Sequence, residues 1–173
     1  IPVFVDPKFK NFFNYRNATV FKPNRKEASV ALNLDIKTIE DVKVAGKKLL
    51  DKIECKNVLI TLGSDGMFLF EDNENIMSIP TNARMISDVS GAGDTTIATF
   101  AAAISGGASL KEAAIIANYA AELFVRNPVL FLFKVRNCSI QLITESNLEL
   151  KDISVPFAFM NNSPACSTWD RTD

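Results

Sequence analysis

The uninterrupted apolar run Val58-Leu59-Ile60 is the feature that most restricts the fold. A strand lacking polar alternation is buried on both faces, as in sheets covered by helices on each side. Its upstream neighbour is helical in pattern: Ile39, Val42, Ala45, Leu49 and Leu50 share one face of a segment from Thr38 to Lys52. Thr38 with Asp41 three residues on forms a capping pattern at its start. Strands are expected at Ile1–Val5, Ala18–Phe21, Asn57–Thr61, Met67–Glu71 and Ile76–Ile79. Gly63 and Gly66 bracket a turn, and Asp72–Asn75 reads as a hairpin loop. A helix is expected from Asn24, a second from Asp94 to Ser105 ended by Gly106-Gly107, and a third from Leu110, capped by Ser109 with Glu112. Strands alternating with helices give an α/β fold with a largely parallel sheet.

Composition removes whole classes of chemistry. The 173 residues contain no histidine, so Ser-His triads, His general bases and His-containing metal sites are excluded. Cys55, Cys138 and Cys166 are odd in number and lack Cys-x-x-Cys spacing, which reads as reduced thiols in a cytoplasmic protein. Nineteen basic residues against twenty acidic ones give no net field for nucleic acid or an anionic membrane. The apolar stretches are too short or interrupted to span a bilayer, and no secretory signal stands at Ile1. Catalysis must therefore come from carboxylates, amides, hydroxyls, lysines and backbone N–H groups.

Gly91-Ala92-Gly93-Asp94, leading into an Ala-rich helix, is the segment best suited to chemistry. Free N–H groups and the helix dipole favour an anion there, and glycines allow it to approach the backbone. Asp94 can take a proton from an attacking hydroxyl beside that anion, or it can simply cap the helix. Asn24 and Glu27 likewise read either as a capping box or as polar groups near a phosphate. Gly66 reads as a turn residue needing positive φ, and Asn118 as a polar residue on a helix surface.

Asp88-Val89-Ser90-Gly91-Ala92-Gly93-Asp94 resembles the Asp-x-x-Gly-Ala-Gly-Asp signature of the ribokinase-like (PfkB) carbohydrate kinases. The resemblance runs from about Val3 to Ala121. It implies a ribokinase-like mixed or mostly parallel sheet with helices on both faces, and ATP with Mg²⁺ as cofactors. It makes Asp94 the base that deprotonates the sugar hydroxyl, and Gly91, Ala92 and Gly93 the anion hole. Asn24 and Glu27 match the Asn-x-x-Glu motif associated with phosphate-bound Mg²⁺, and Asp88 a position that helps hold a monovalent cation. Thr61, Gly63, Gly66 and Asn118 match positions that approach the nucleotide. Val5-Asp6-Pro7-Lys8, Tyr15-Arg16, Lys22-Pro23-Asn24 and Ile79-Pro80-Thr81 are most similar to the kinases that phosphorylate a heptose 7-phosphate towards ADP-heptose, a lipopolysaccharide precursor. The implied partners are ATP and a phosphorylated sugar, with no nucleic acid and no membrane. Homo-oligomerisation of the intact protein stays open.

Two departures from the family are expected to matter. Residues 1–121 correspond to the nucleotide-binding C-terminal half of the kinase. The sugar-contacting half and its β lid are not matched, and a start at Ile1 suggests missing upstream sequence. From Glu122 to Asp173 the chain leaves the family pattern, which usually has a glycine and then small residues. A family-like continuation, Gly-Ile-Val-Cys-Glu-Glu-Pro-Gly-Ile-Val-Pro-Ile, can be encoded so that the frame displaced by one base reads Glu-Leu-Phe-Val-Arg-Asn-Pro-Val-Leu-Phe-Leu-Phe, which is residues 122–133. The tail 122–173 is therefore expected to be an out-of-frame segment that packs poorly, a divergent natural tail being the alternative. The functional expectation is an ATP-dependent sugar kinase that is inactive in this form. Its alternatives are a non-catalytic ATP-binding remnant or interaction module, and a fragment that does not fold alone.

Overall fold

The structure, a computed structural model, describes residues 1–81, 91–126, 132–136 and 139–143. Five strands form one sheet in the order of the chain: β1 (Phe4–Val5), β2 (Val20–Phe21), β3 (Val58–Thr61), β4 (Met67–Phe70) and β5 (Ile76–Ile79). β1, β2 and β3 run parallel, whereas β3–β4 and β4–β5 are antiparallel. The sheet is thus mixed rather than largely parallel. The connections at 62–66 and 71–75 are too short for crossovers and can only close hairpins.

Helices cover both faces, because side chains alternate across each strand. Phe21, Val58, Ile60, Phe68 and Phe70 join one cluster with α2 (Ile39–Ile53), through Val42, Ala45, Leu49 and Ile53. Ala28 of α1 (Arg25–Leu32) belongs to the same cluster. The intervening residues Val20, Leu59, Met67 and Leu69 join a second cluster on α3 (Ala92–Ser105) and α4 (Leu110–Arg126). Small residues at Ala103, Ala113, Ala114 and Ala117 let those two helices pack closely. The run Val58-Leu59-Ile60 is apolar throughout because both of its faces are core.

The helix starts follow the sequence closely. Thr38 accepts from the Asp41 N–H while the Asp41 carboxylate accepts from the Thr38 N–H, giving a complete capping box. Ser109 and Glu112 make the same exchange ahead of α4. Two strands, β1 and β2, are shorter than expected by more than one residue. Ile1, Pro2 and Val3 are exposed ahead of β1, and Pro2 has no N–H to give a ladder. β2 begins only at Val20, and the Val20 N–H still reaches back to the Val3 carbonyl at 3.2 Å.

α4 continues through the expected boundary at Ala121 as far as Arg126, and it carries Glu122 in a buried position. Further on, β6 (Leu132–Arg136) and β7 (Ser139–Ile143) form a separate antiparallel pair. The rest of the expected tail lies outside the described residues. Among the described residues no helix is long and apolar enough to cross a membrane.

Candidate functional site

The carboxyl ends of the three parallel strands converge on one edge of the sheet, where open α/β sheets receive their ligands. β1 runs into Asp6-Pro7-Lys8, β2 into Lys22-Pro23-Asn24 and β3 into the turn Leu62–Gly66. Ladder bonds hold these exits together: the Lys22 N–H donates to the Val5 carbonyl at 2.8 Å, and the Thr61 N–H to the Pro23 carbonyl at 3.1 Å. Arg25 pairs with Asp65, which ties the start of α1 to the glycine turn.

α3 brings the glycine loop to this edge. Its N-cap is Gly91, at φ 101°, a left-handed conformation that a residue with a Cβ adopts only under strain. Gly91 has no side chain with which to cap the helix, and the first helical bond runs from the Thr95 N–H to the Gly91 carbonyl at 2.9 Å. The N–H groups of Ala92, Gly93 and Asp94 precede that bond, so the helix itself offers them no acceptor. Asp94 stands in the first turn of α3, exposed, two positions inside the helix start rather than at the cap. Its carboxylate is therefore available beside the loop.

Facing the loop is a group of charges that the residue-by-residue reading passed over. Lys22 is almost fully buried, and its ammonium lies 2.8 Å from one Asp6 oxygen. Lys8 donates to the other Asp6 oxygen at 3.1 Å. A Cβ placed on Gly93 would lie 3.4 Å from the Lys22 Nζ, so that ammonium sits directly against the loop. Burial pushes the Asp6 carboxyl up, but the bonds and charges of Lys22 and Lys8 outweigh it and hold the group below its usual value. Lys8 is raised, first by its bond to Asp6 and then by the charges of Asp6, Glu27 and Asp94. Asp6, Lys8, Lys22, Glu27 and Asp94 thus share one electrostatic neighbourhood. The available signal was position: Asp6 and Lys22 each immediately follow a parallel strand.

Asn24 and Glu27 form a complete capping box on α1. The Glu27 N–H donates to the Asn24 side chain, and the Asn24 N–H to a Glu27 oxygen, both at 2.8 Å. Among the described residues no three His, Cys, Asp or Glu side chains gather closely enough to cage a metal. With Glu27 partly committed to its cap, this donor set suits a Mg²⁺ that keeps its waters and arrives on phosphates.

Two of the remaining sequence candidates, Asn118 and Gly66, meet around Pro80. The Asn118 amide, buried on α4, donates to the Pro80 carbonyl at 3.0 Å. Gly66, at φ 85°, packs so closely that a Cβ would lie 2.1 Å from the Ile79 carbonyl oxygen. Thr61 ends β3 beside Asn24, and Gly63, at φ 63°, faces open space. Asn118 is therefore a bonded core residue rather than a helix-surface one. Asp88 lies outside the described residues.

Fold and site together define an α/β protein covered on both faces, with a glycine loop at a helix N-terminus and a carboxylate at the carboxyl edge of its parallel strands. Residues 1–129 match the pfkB family carbohydrate kinases. The chain belongs to that family. It is 49% identical over 125 residues to the bifunctional protein HldE of a Nitratiruptor species, covering 72% of this chain and 26% of that protein. The HldE protein of Rhodospirillum rubrum is 44% identical over 125 residues, covering 72% of this chain and 25% of that one. The chain spans about a quarter of the length of these curated relatives. Among solved structures, Arabidopsis thaliana ribokinase complexed with ribose and ATP superposes with a TM-score of 0.63 at 31% identity, covering 73% of this chain and 42% of that one. Escherichia coli phosphofructokinase-2 in complex with potassium gives a TM-score of 0.64 at 25% identity over the same shares. The fold is ribokinase-like.

Proposed function

We propose that this chain carries the phosphoryl-donor half of an ATP-dependent, cytoplasmic sugar kinase whose acceptor is a heptose 7-phosphate. The observation that carries the reading is the juxtaposition of the Gly91–Asp94 loop with the charged exits of β1 and β2. Phosphoryl transfer needs alignment, neutralisation of spreading charge and a base near the nucleophile. The N–H groups of Ala92, Gly93 and Asp94 bind the transferring phosphoryl oxygens. The Asp94 carboxylate accepts the proton of the sugar hydroxyl. Glu27 and Asn24 would hold Mg²⁺ through its waters and the phosphates, and the ion supplies neutralisation of phosphate charge. Asp88, ahead of the loop, would help hold a monovalent cation. Thr61, Gly63, Gly66 and Asn118 shape the nucleotide side; Gly66 and Asn118 do so by fixing the backbone around Pro80.

The heptose acceptor is supported by the identity to the HldE proteins and by the words Asp6-Pro7-Lys8 and Lys22-Pro23-Asn24. The chain spans about a quarter of the length of its HldE relatives, and on this reading these 173 residues alone bind ATP–Mg²⁺ without turnover. Residues 122–173 are read as contributing no catalytic group. The test is a chimera in which residues 1–121 replace the matching segment of an HldE kinase domain. Heptose 7-phosphate should then be phosphorylated at the expense of ATP. Asp94→Asn should lower kcat by about 10²–10⁴-fold while sparing ATP affinity. Turnover retained in Asp94→Asn would sink the assignment of the base, and activity confined to another sugar would move the substrate.

A further inference from the structure

The proposed function leaves the chemistry of Lys22 unused. Its side chain is 3% exposed, yet lysine is rarely buried because removing an ammonium from water is costly. Its ion-pair partner among the described residues is Asp6, which Lys8 also engages. A buried Lys–Asp pair adds little stability against an apolar pair of similar volume, since desolvation offsets most of the attraction. Stability alone is therefore a poor reason for an ammonium at this place.

Geometry supplies a better one. Asp6 occupies one direction of the ammonium, which has three N–H donors. Gly93 lies against it, and the Gly93 N–H belongs to the group for which α3 provides no acceptor. Backbone donors, the positive end of a fourteen-residue helix and a fixed cation thus surround one point. A point charge on a flexible stem suits a terminal phosphate, whose oxygens rearrange during transfer.

We propose that Lys22 binds the terminal phosphate of the nucleoside triphosphate through its ammonium, with Asp6 as the positioning residue that holds it against Gly93. The inference rests on the kinase reading above. It assigns Lys22 to the transferring phosphoryl group rather than to the nucleoside or the inner phosphates.

The experiment is calorimetric titration of the full chain with ATP–Mg²⁺, ADP–Mg²⁺ and adenosine, for the unsubstituted protein and for Lys22→Met. Lys22→Met should weaken ATP–Mg²⁺ binding by about ten- to a hundredfold, the effect of a lost charged hydrogen bond, and change adenosine binding little. ADP should lose much less than ATP. Because Lys22→Met strands the Asp6 carboxylate, Asp6→Asn/Lys22→Met is measured beside it, and this neutral pair should show the same selective loss. Lys22→Arg should recover part of the ATP affinity. A cooperatively folded Lys22→Met or double variant with an unchanged ATP-to-ADP affinity ratio overturns the role of Lys22 and leaves the kinase reading intact. No ATP–Mg²⁺ binding by the unsubstituted chain overturns the kinase reading, and the role of Lys22 with it.

Discussion

Gly66 and Gly91 both hold positive φ at the site, for different neighbours. At Gly66 an added Cβ would strike the Ile79 carbonyl oxygen at 2.1 Å and the Thr81 nitrogen at 2.9 Å. The backbone around Pro80 cannot yield without losing the Asn118 bond. Gly66→Ala is therefore expected to destabilise the protein by about 1–3 kcal/mol in urea unfolding, the usual cost of overpacking a fixed neighbour. At Gly91 the added Cβ would meet the Phe124 ring at 3.1 Å, so a residue of α4 beyond Ala121 packs directly on the glycine loop. Cys55 offers a prediction of another kind. Burial pushes its thiol up to about 11, and the native state accordingly keeps it as the unreactive thiol at neutral pH. Mass-spectrometric mapping after iodoacetamide treatment at neutral pH should find Cys55 unmodified in the native protein and alkylated once urea is added. Comparable labelling in both states would contradict the burial.

α2 shows where propensity and packing disagree. Gly46 in mid-helix should be improved by alanine on propensity alone, by about 1 kcal/mol. A Cβ there would penetrate the buried Phe70 ring, at 2.2 Å from its tip. Gly46→Ala is expected to lower the urea midpoint, and a raised midpoint would show that the helix can slide off the sheet. At the start of the same helix, Thr38→Ala should cost about 1 kcal/mol through loss of the cap. Capping boxes of this kind were legible in the sequence because they are local: Thr38 with Asp41, Ser109 with Glu112, and Asn24 with Glu27 each lie three residues apart. The buried run Val58–Ile60 was legible for the same reason. Strand direction and strand length were less so, since Ile1–Val3 carries apolar residues that lie exposed, although Val3 still bonds to Thr19 and Val20. The charged group of Asp6, Lys8 and Lys22 was illegible as a unit, because Lys22 stands sixteen positions after Asp6 and the parallel pairing of β1 with β2 joins them.

Among the described residues, four carboxyls are held below their usual values, at Asp6, Asp41, Asp72 and Glu112, and one thiol is held above its own. For a lowered carboxyl the stabilising contribution is present above its unfolded value and is lost as pH falls through the folded one. For the raised Cys55 thiol it is present below the unfolded value of about 9 and is lost as pH rises through about 11. Thermal melting should therefore show a stability plateau between roughly pH 5 and pH 8, falling on both sides. Asp6→Asn should flatten the acid limb, and an acid limb unchanged in that variant would contradict the strength of the Asp6 pairing. The proposed function rests on a narrower region: the N–H groups at the start of α3 for which the helix has no acceptor, set against the exits of β1 and β2. The most direct test is to titrate the isotopically labelled chain with ATP–Mg²⁺ and follow the backbone amides of Gly91 to Asp94 by nuclear magnetic resonance, with adenosine as the comparison. The account predicts saturable shifts at Ala92, Gly93 and Asp94 with ATP–Mg²⁺ and little movement there with adenosine. Saturable binding that leaves these amides unmoved, or no binding at all, would contradict it.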